Sequence, residues 1–168
     1  MAQTKSRLQI LFLISGLAVF SAASAVLLSA PKMLGDEKKS ADPWNSAQIV
    51  QPAELAQELV AKSGVPPTIV YVGFRTLFAG GHIPGATFHG TTSTEQGLAE
   101  LKKWVEALSR TSNLVIYCGC CPFEKCPNIR PAFSALNNMG FRKLRVLALP
   151  TSFAADWAEK GYPVQKAM

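Results

Sequence analysis

The chain has 168 residues, with 17 basic and 11 acidic side chains and a formal net charge of +6. The basic residues are scattered and form no stripe interleaved with aromatic side chains, which argues against nucleic acid as a partner. The modest positive charge is compatible with a small anionic ligand, and the length is enough for one ordinary domain with a buried core.

The first residues have the features of an export signal. Lys5 and Arg7 give a positive start, residues 8–20 are largely apolar, and residues 23–25 (Ala-Ser-Ala) match the small-x-small pattern of a cleavage site. The apolar part is short for a membrane-spanning helix, which needs roughly 20 residues. We therefore expect a signal peptide over residues 1–25, cleaved after its last residue, and a periplasmic or secreted protein. An uncleaved signal would instead anchor the chain to the membrane.

The next segment, residues 26–46, contains prolines and clustered charges but no sustained hydrophobic period, so we expect a flexible tether. Residues 47–168 are then expected to form the domain. Within it, residues 52–60 carry leucines four apart after a first-turn proline, which predicts a short amphipathic helix. Residues 68–72 are β-branched and aromatic, which predicts a central strand.

The middle of the domain continues this alternation. A turn-rich connection, residues 80–86, leads to a brief strand at residues 87–88. Ser93 or Thr94 is expected to cap the helix that follows, which has one apolar face. Residues 114–117 are a short apolar run between polar or small residues, which predicts a buried strand.

The end of the chain adds a helix, a strand and a last short helix. Asn128 is the expected cap of a helix that ends at Gly140, residues 144–149 predict a strand, and residues 151–159 predict a helix. Strands that alternate with helices in this way argue for a parallel α/β sheet covered on both faces.

All four cysteines lie within nine consecutive positions, directly after the strand predicted at residues 114–117. Cys118 would lie at the carboxyl end of that strand, where open α/β sheets bind ligands. The following helix would direct its backbone N–H groups and positive dipole end at this thiol and lower its pKa, as a nucleophile requires. Gly119 suits a loop whose backbone approaches a bound anion closely.

The other three cysteines, Cys120, Cys121 and Cys126, have competing roles. One role is to resolve or relay sulfur from Cys118, since Cys118 and Cys121 have the C-x-x-C spacing of redox motifs. A second is a disulfide that closes the loop, most simply between Cys126 and Cys120 or Cys121. A third is binding of a soft metal such as Cu(I) or zinc. The C-x-C-C-x4-C spacing is not a standard zinc pattern and no histidine accompanies it, so no metal site is assigned.

Cationic and histidine side chains complete the candidates. Arg130, near the start of the helix after the cysteines, and Arg75 are candidate contacts for an anionic substrate. His82 and His89 suggest a Cys–His catalytic pair. A role in satisfying the backbone is favoured for His82, because it lies in a glycine- and proline-rich turn.

Four elements, in this order, resemble the rhodanese-like (sulfurtransferase) domain. They are residues 81–86 (Gly-His-Ile-Pro-Gly-Ala), Tyr117-Cys118, Gly140-Phe141, and Trp157 with residues 161–164 (Gly-Tyr-Pro-Val). The resemblance covers most of the predicted domain. It implies an α/β fold with a central parallel sheet of about five strands and helices on both faces. It also implies that the cysteine at position 118 takes a sulfane sulfur from a donor, carries it as a persulfide and passes it to a thiophilic acceptor.

The resemblance thus predicts an exported enzyme of the thiosulfate:thiophile sulfurtransferase type. Its partners would be a small anionic sulfur donor and a thiol or other thiophilic acceptor, and no cofactor is expected. Two alternatives remain open. One is a thiol–disulfide oxidoreductase that uses Cys118 and Cys121, and the other is a non-enzymatic thiolate metal-binding or interaction module on the same fold.

The chain departs from the family around this cysteine. Family members usually have a short loop between the cysteine and the next helix, whereas here Arg130 follows Cys118 by twelve positions. Tyr71 and Gly73 stand where an Asp-x-Arg pattern is frequent, and residues 149–151 (Leu-Pro-Thr) stand where a glycine pair is common. These departures affect the expected substrate more than the expected fold.

Overall fold

The computed structural model describes residues 42–61 and 64–166. Its strands are β1 (Ile49–Val50), β2 (Thr68–Tyr71), β3 (Thr87–Phe88), β4 (Asn113–Tyr117) and β5 (Lys143–Leu147). They form one all-parallel sheet in the order β1, β5, β4, β2, β3. The predicted α/β fold with a parallel sheet of five strands is therefore confirmed. The predicted signal peptide lies outside the described residues.

Within the described residues, the connections contain four α-helices and three shorter helical turns. The α-helices are α1 (Pro52–Ala61), α2 (Arg75–Gly80), α3 (Glu95–Val105) and α4 (Ile129–Asn138). The shorter turns are 3-10 helices at Ser46–Gln48 and Phe123–Lys125 and a π-helix at Ala154–Ala158. The sequence did not predict α2, because none of its residues is buried and it shows no core-facing period. No helix in the described part of the chain has the length and apolar character needed to cross a membrane.

Side chains of the central strand β4 alternate between the two faces of the sheet, as strand geometry requires. Leu114 and Ile116 belong to a core that includes residues of α3 and α4, whereas Val115 and Tyr117 belong to a second core with residues of α1. The next residue, Cys118, belongs to the same core as Leu114 and Ile116. Its thiol therefore lies on the face that α4 covers.

The packed domain begins before residue 47. Trp44 is buried and its ring lies 5.3 Å from the rings of both Phe123 and Phe133. The carboxylate of Asp42 pairs with Arg130 at 2.7 Å. The predicted boundary of the tether at residue 46 is thus too late, because residues 42–46 pack on the domain. The aromatic partners of Trp44 are distant in sequence, so local patterns do not reveal them.

The two predicted helix caps have different outcomes. Thr94, rather than Ser93, caps α3, with its hydroxyl oxygen accepting a hydrogen bond from the backbone N–H of Gly97 at 3.1 Å. Asn128 precedes α4 as predicted, but its side chain makes no capping hydrogen bond. That side chain points instead toward the cysteines.

Candidate functional site

Cys118 is the first residue after β4, at the carboxyl end of the sheet, where β4 lies between β5 and β2. The chain turns sharply at Gly119, whose φ is +74°. A Cβ atom at this position would lie 2.6 Å from Cβ of Phe153 and 3.0 Å from Cδ1 of Leu149. Glycine is required here both by the backbone conformation and by this close approach.

The loop after Gly119 folds over the edge of the sheet. The backbone N–H of Phe153 donates to the Gly119 carbonyl at 3.0 Å, and the N–H of Phe123 donates to the Leu149 carbonyl at 3.1 Å. These bonds tie both ends of the segment that carries the middle two cysteines to the chain after β5. The additional length of this loop is therefore ordered against the domain.

The loop brings the thiols into contact. Sγ of Cys118 lies 3.0 Å from Sγ of Cys120, which lies 3.3 Å from Sγ of Cys121. The Sγ atoms of Cys118, Cys120 and Cys126 all lie within 4.8 Å of one another, and we call these three residues the thiol cluster. Cys118 and Cys126 are buried, and the other two cysteines are half-buried. All four are free thiols in this structure, so the expected loop disulfide stays a prediction.

Asn128 is the polar residue that organises the cluster. Its side-chain Nδ2 donates to Sγ of Cys118 at 3.5 Å and to Sγ of Cys120 at 3.8 Å. Its Oδ1 accepts from the backbone N–H of Ser93 at 2.9 Å, and its carbonyl accepts from the hydroxyl of Thr92 at 2.6 Å. The side chain is fully buried and thus held in one orientation. The sequence predicted Asn128 only as a helix cap and did not indicate that its side chain would bond to the thiols.

The thiols differ in acidity because their hydrogen-bond partners differ. The pKa of Cys126 is lowered to about 6, first by a hydrogen bond from Cys118 and further by the backbone N–H groups of Asn128 and Ile129. The pKa of Cys118 is raised, chiefly because its thiol donates that hydrogen bond and because it is buried. Burial is the main cause that raises the pKa of Cys121 to about 12. The backbone N–H groups at the start of α4, which the sequence placed beside Cys118, face Cys126 instead.

Tyr71 places a hydroxyl beside the thiols. It is the last residue of β2 and lies in register with Tyr117 on β4. A Cβ atom on Gly73 would lie 2.5 Å from Oη of Tyr71 and 2.7 Å from Sγ of Cys118, so the absence of a side chain there lets these two groups lie together. The Tyr71 hydroxyl is buried. The backbone N–H of Phe74 faces its oxygen, and its proton has no acceptor in the described part of the chain. Burial, followed by the nearby Cys118 and Cys120, raises the pKa of this hydroxyl.

A cavity of about 570 Å³, which we call the thiol cavity, adjoins this site. Tyr71 and the segment from Cys118 to Cys120 form part of its lining. The apolar side chains of Leu77, Phe153 and Val164 also line it, and the first and last of these are exposed. Among its described lining residues, Lys166 is the single cation. The thiol cavity is thus mainly apolar.

The two arginines predicted to bind an anion lie elsewhere. Arg130 pairs with Asp42 and donates to the carbonyl of Cys126 at 3.4 Å, so it supports the loop rather than lining the cavity. The guanidinium of Arg75 lies 4.5 Å from the centre of the Phe88 ring and lines a separate depression. The structure therefore brings Cys118, Gly119 and the other cysteines together but not these two cations.

Neither histidine reaches the thiols. Nδ1 of His82 bonds to the carbonyl of Phe78 at 2.8 Å, which agrees with the backbone-satisfying role favoured from the sequence. The ring of His89 stacks on Trp104 with a centroid distance of 3.8 Å, and burial lowers its pKa. Neither side chain lines the thiol cavity, so the structure does not support a Cys–His pair.

Comparison with models of protein families finds no match, and neither does comparison with curated protein sequences. Solved structures do match. A rhodanese-like domain from Anabaena sp. has a TM-score of 0.53 and 20% sequence identity, covering 71% of this chain and 80% of that chain. A crystal structure of a protein from Anabaena sp. has a TM-score of 0.52 and 22% identity, covering 71% and 83% of the two chains. A protein from Bacillus halodurans has a TM-score of 0.51 and 19% identity, covering 70% and 75%.

At these identities the likeness concerns the arrangement of the backbone, and it agrees with the parallel sheet and its covering helices. It confirms, at the level of the fold, the resemblance found in the sequence. The chain has the rhodanese-like fold, with a cysteine-rich loop at the carboxyl edge of its sheet.

Proposed function

We propose that this domain is a sulfurtransferase that carries a sulfane sulfur as a persulfide on Cys118. The observation that carries the proposal is the place of this thiol, directly after the central strand and in the lining of a cavity that opens to the surface. The carboxyl edge of a parallel sheet is where α/β folds bind their ligands. The rhodanese-like fold and the neighbouring thiols support the same function.

The proposed step is a simple exchange of sulfur. Cys118 passes its proton to the sulfur of Cys126, to which it already donates a hydrogen bond. It then attacks the outer sulfur of a donor persulfide, R–S–SH, so that a sulfur–sulfur bond forms to Cys118 and the donor bond breaks. The donor leaves as R–SH, taking the electron pair of the broken bond and, in the net reaction, the proton of the Cys118 thiol. An acceptor thiolate then attacks the outer sulfur and releases Cys118. The hydroxyl of Tyr71, whose proton has no acceptor in the described part of the chain, would donate a hydrogen bond to the bound persulfide.

The cavity favours an organic donor with an apolar substituent over a small inorganic anion such as thiosulfate. Its lining is mainly apolar, and Arg130 and Arg75 have their partners outside it. Because the Cys118 side chain has no surface exposed to bulk solvent, a donor would reach it through the thiol cavity, which it lines. We therefore replace the small anionic donor expected from the sequence by a persulfide with an apolar substituent.

Single cysteine variants test the proposal. The reduced protein is incubated with an alkyl persulfide, and transfer to cyanide or a thiol is followed. Cys118→Ser should abolish transfer because it removes the sulfur carrier, whereas Cys121→Ser, outside the thiol cluster, should retain it. Thiosulfate should be a poorer donor than the alkyl persulfide. Unchanged transfer in the Cys118→Ser variant would end the assignment.

A thiol–disulfide oxidoreductase remains the second candidate, because Sγ of Cys118 and Sγ of Cys120 are only 3.0 Å apart. The structure changes the expected pair, since Cys121 lies outside the thiol cluster. Mild oxidation with no sulfur donor separates the two functions. Loss of two hydrogen atoms (two protons, with two electrons passed to the oxidant) and a Cys118–Cys120 disulfide, reversible by a dithiol and without any transfer of sulfur, would favour the oxidoreductase.

We also propose that the protein is exported to the periplasm or secreted. The support is the sequence of residues 1–25, with its positive start, apolar middle and small-x-small end. Amino-terminal sequencing of the exported protein should begin at Val26. A mature chain that still begins at Met1 or Ala2 would exclude cleavage.

A further inference from the structure

The thiol cluster has a feature that sulfur transfer through Cys118 does not require. Three sulfurs reach one place from different parts of the chain: Cys118 from the end of β4, Cys120 from the loop, and Cys126 from the segment just before α4. Among the described residues, no other group of three cysteine, histidine or acidic side chains converges in this way. A single relay or a single disulfide needs two sulfurs, whereas three converging sulfurs match the ligand set of a trigonal metal ion.

We propose that Cys118, Cys120 and Cys126 bind one Cu(I) ion. Thiolate is the soft ligand that Cu(I) prefers. Metal–thiolate bonds of about 2.3 Å place the sulfurs of a three-coordinate ion about 4 Å apart. The three Sγ atoms already lie within 4.8 Å of one another. The 3.0 Å contact between Cys118 and Cys120 must open by about 1 Å, which a rotation of the half-buried Cys120 side chain can supply.

The number of ligands favours Cu(I) over zinc. Structural zinc sites are almost always four-coordinate and tetrahedral. The fourth thiol, Cys121, contacts Cys120 and Cys126, but its sulfur does not share the 4.8 Å distance that joins the other three. The described histidines pack elsewhere, His82 on Phe78 and His89 on Trp104. The described residues thus offer three converging ligands, which suits an ion that accepts trigonal coordination.

The surroundings of the cluster fit a buried set of thiolates. Three thiolates with one monovalent ion carry excess negative charge, which is costly to bury unless donors face it. Asn128 supplies these donors, because its Nδ2 donates to the sulfurs of Cys118 and Cys120. The backbone N–H groups of Asn128 and Ile129 face Cys126 at the amino terminus of α4, where the helix dipole adds positive charge. Such outer donors fix the ligands of metal sites.

Metal binding and sulfur transfer would exclude each other, because both use the sulfur of Cys118. A protein loaded with Cu(I) should therefore not accept sulfur until a chelator removes the ion. The proposal does not depend on sulfur transfer, since copper binding is measured on the reduced protein without any donor.

The test uses the reduced full-length protein and Cu(I) alone, without oxygen, in competition with a coloured Cu(I) chelator. We expect one Cu(I) per chain and an X-ray absorption spectrum with three sulfur neighbours. Cys118→Ser, Cys120→Ser and Cys126→Ser should each weaken binding strongly, and Cys121→Ser should leave it unchanged. The decisive comparison is the ratio of the Cu(I) affinities of the Cys126→Ser and Cys121→Ser variants. The C-x-x-C spacing alone would make Cys121 the ligand, in which case Cys121→Ser would be the weaker binder.

A further variant tests the surroundings without removing a ligand. Asn128→Asp keeps an oxygen for the Ser93 N–H but removes the N–H groups that face the sulfurs. It should weaken Cu(I) binding about 10-fold to 100-fold, as loss of an outer partner does in metal sites. The X-ray absorption spectrum is measured on the unmodified protein, so this part of the test holds even if a variant fails to fold. Two sulfur neighbours, four sulfur neighbours including Cys121, or tighter binding of zinc than of Cu(I) would each overturn the proposal.

Discussion

The cysteines of the loop differ in chemistry because their polar partners differ. Cys126 receives backbone N–H groups at the start of α4, and Cys118 donates to it from the end of β4. The sequence predicted the cluster and the place of Cys118 correctly from the strand that precedes it. It placed the start of the helix beside Cys118, whereas the long loop delays the start of α4 to Ile129 and puts Cys126 next to it. Asn128 and Tyr71 were not predicted as part of the site, because their roles depend on contacts across the sheet and the loop.

Two tyrosines on neighbouring strands give a prediction at the scale of single residues. Tyr71→Phe removes a buried hydroxyl whose proton has no acceptor in the described part of the chain, and it should raise the free energy of unfolding by about 1 kcal/mol. It should also slow persulfide formation about 10-fold, the effect of one hydrogen bond to a charged group. Denaturant unfolding and the rate of sulfur loading are the measurements.

Tyr117→Phe is the matched control. Its hydroxyl accepts a hydrogen bond from the backbone N–H of Ile83 at 3.0 Å, so its loss should lower the free energy of unfolding by about 1 kcal/mol. If Tyr71→Phe destabilises the protein as much as Tyr117→Phe does, the proton of the Tyr71 hydroxyl has an acceptor and its proposed role is wrong.

At the scale of secondary structure, hydrophobic period and order gave most of the elements. Four of the five strands and three of the four α-helices follow segments that local patterns identify, and only β1 is too short for more than an apolar pair. The helix α2 was not predicted, because none of its residues is buried and its sequence therefore shows no apolar face. Connections between elements were also not predictable, as shown by Arg145 on β5, which donates to Glu58 on α1 and to Asn113 on β4.

This link between α1 and β5 predicts a dependence of stability on pH. The hydrogen bond from Arg145 holds the pKa of Glu58 below its ordinary value of 4.5. A carboxyl with a lowered pKa in the folded state adds stability above its unfolded pKa and loses it as the pH falls through the folded one. Glu58→Gln should therefore cost about 1 kcal/mol at neutral pH, and this difference should shrink below about pH 4.5.

The measurement is urea unfolding of both proteins across this range of pH. Arg145→Gln should flatten the same part of the profile, because it removes the group that lowers the pKa of Glu58. A difference between the native protein and Glu58→Gln that stays constant into strong acid would contradict the account.

At the scale of the whole molecule, one parallel sheet with helices on both faces presents its carboxyl edge to the cysteine loop. The fold could be predicted because the order of strands, helices and turn motifs is itself distinctive. The start of the domain could not, because Trp44 is held by rings that lie far along the chain. This tryptophan also packs on Phe123, within the loop that carries the cysteines. The segment before β1 therefore supports the site.

Trp44→Ala tests whether this segment belongs to the domain. Because the side chain is buried between two aromatic rings, its loss should lower the free energy of unfolding by about 3–5 kcal/mol. Trp104→Ala is the control and should cost less, since Trp104 is only half-buried and stacks on His89. If Trp44→Ala is as stable as the native protein, residues 42–46 are not part of the domain, and the tether extends to residue 46 as the sequence predicted.

The central claim is that Cys118 carries sulfur, and direct location of that sulfur tests it. The reduced protein is treated with an alkyl persulfide, alkylated, and cleaved with trypsin, which separates Cys126 from the other three cysteines after Lys125. Fragment spectra then distinguish Cys118 from Cys120 and Cys121. We predict an added mass of one sulfur atom on Cys118. Sulfur found only on another cysteine, or on none, would contradict the account.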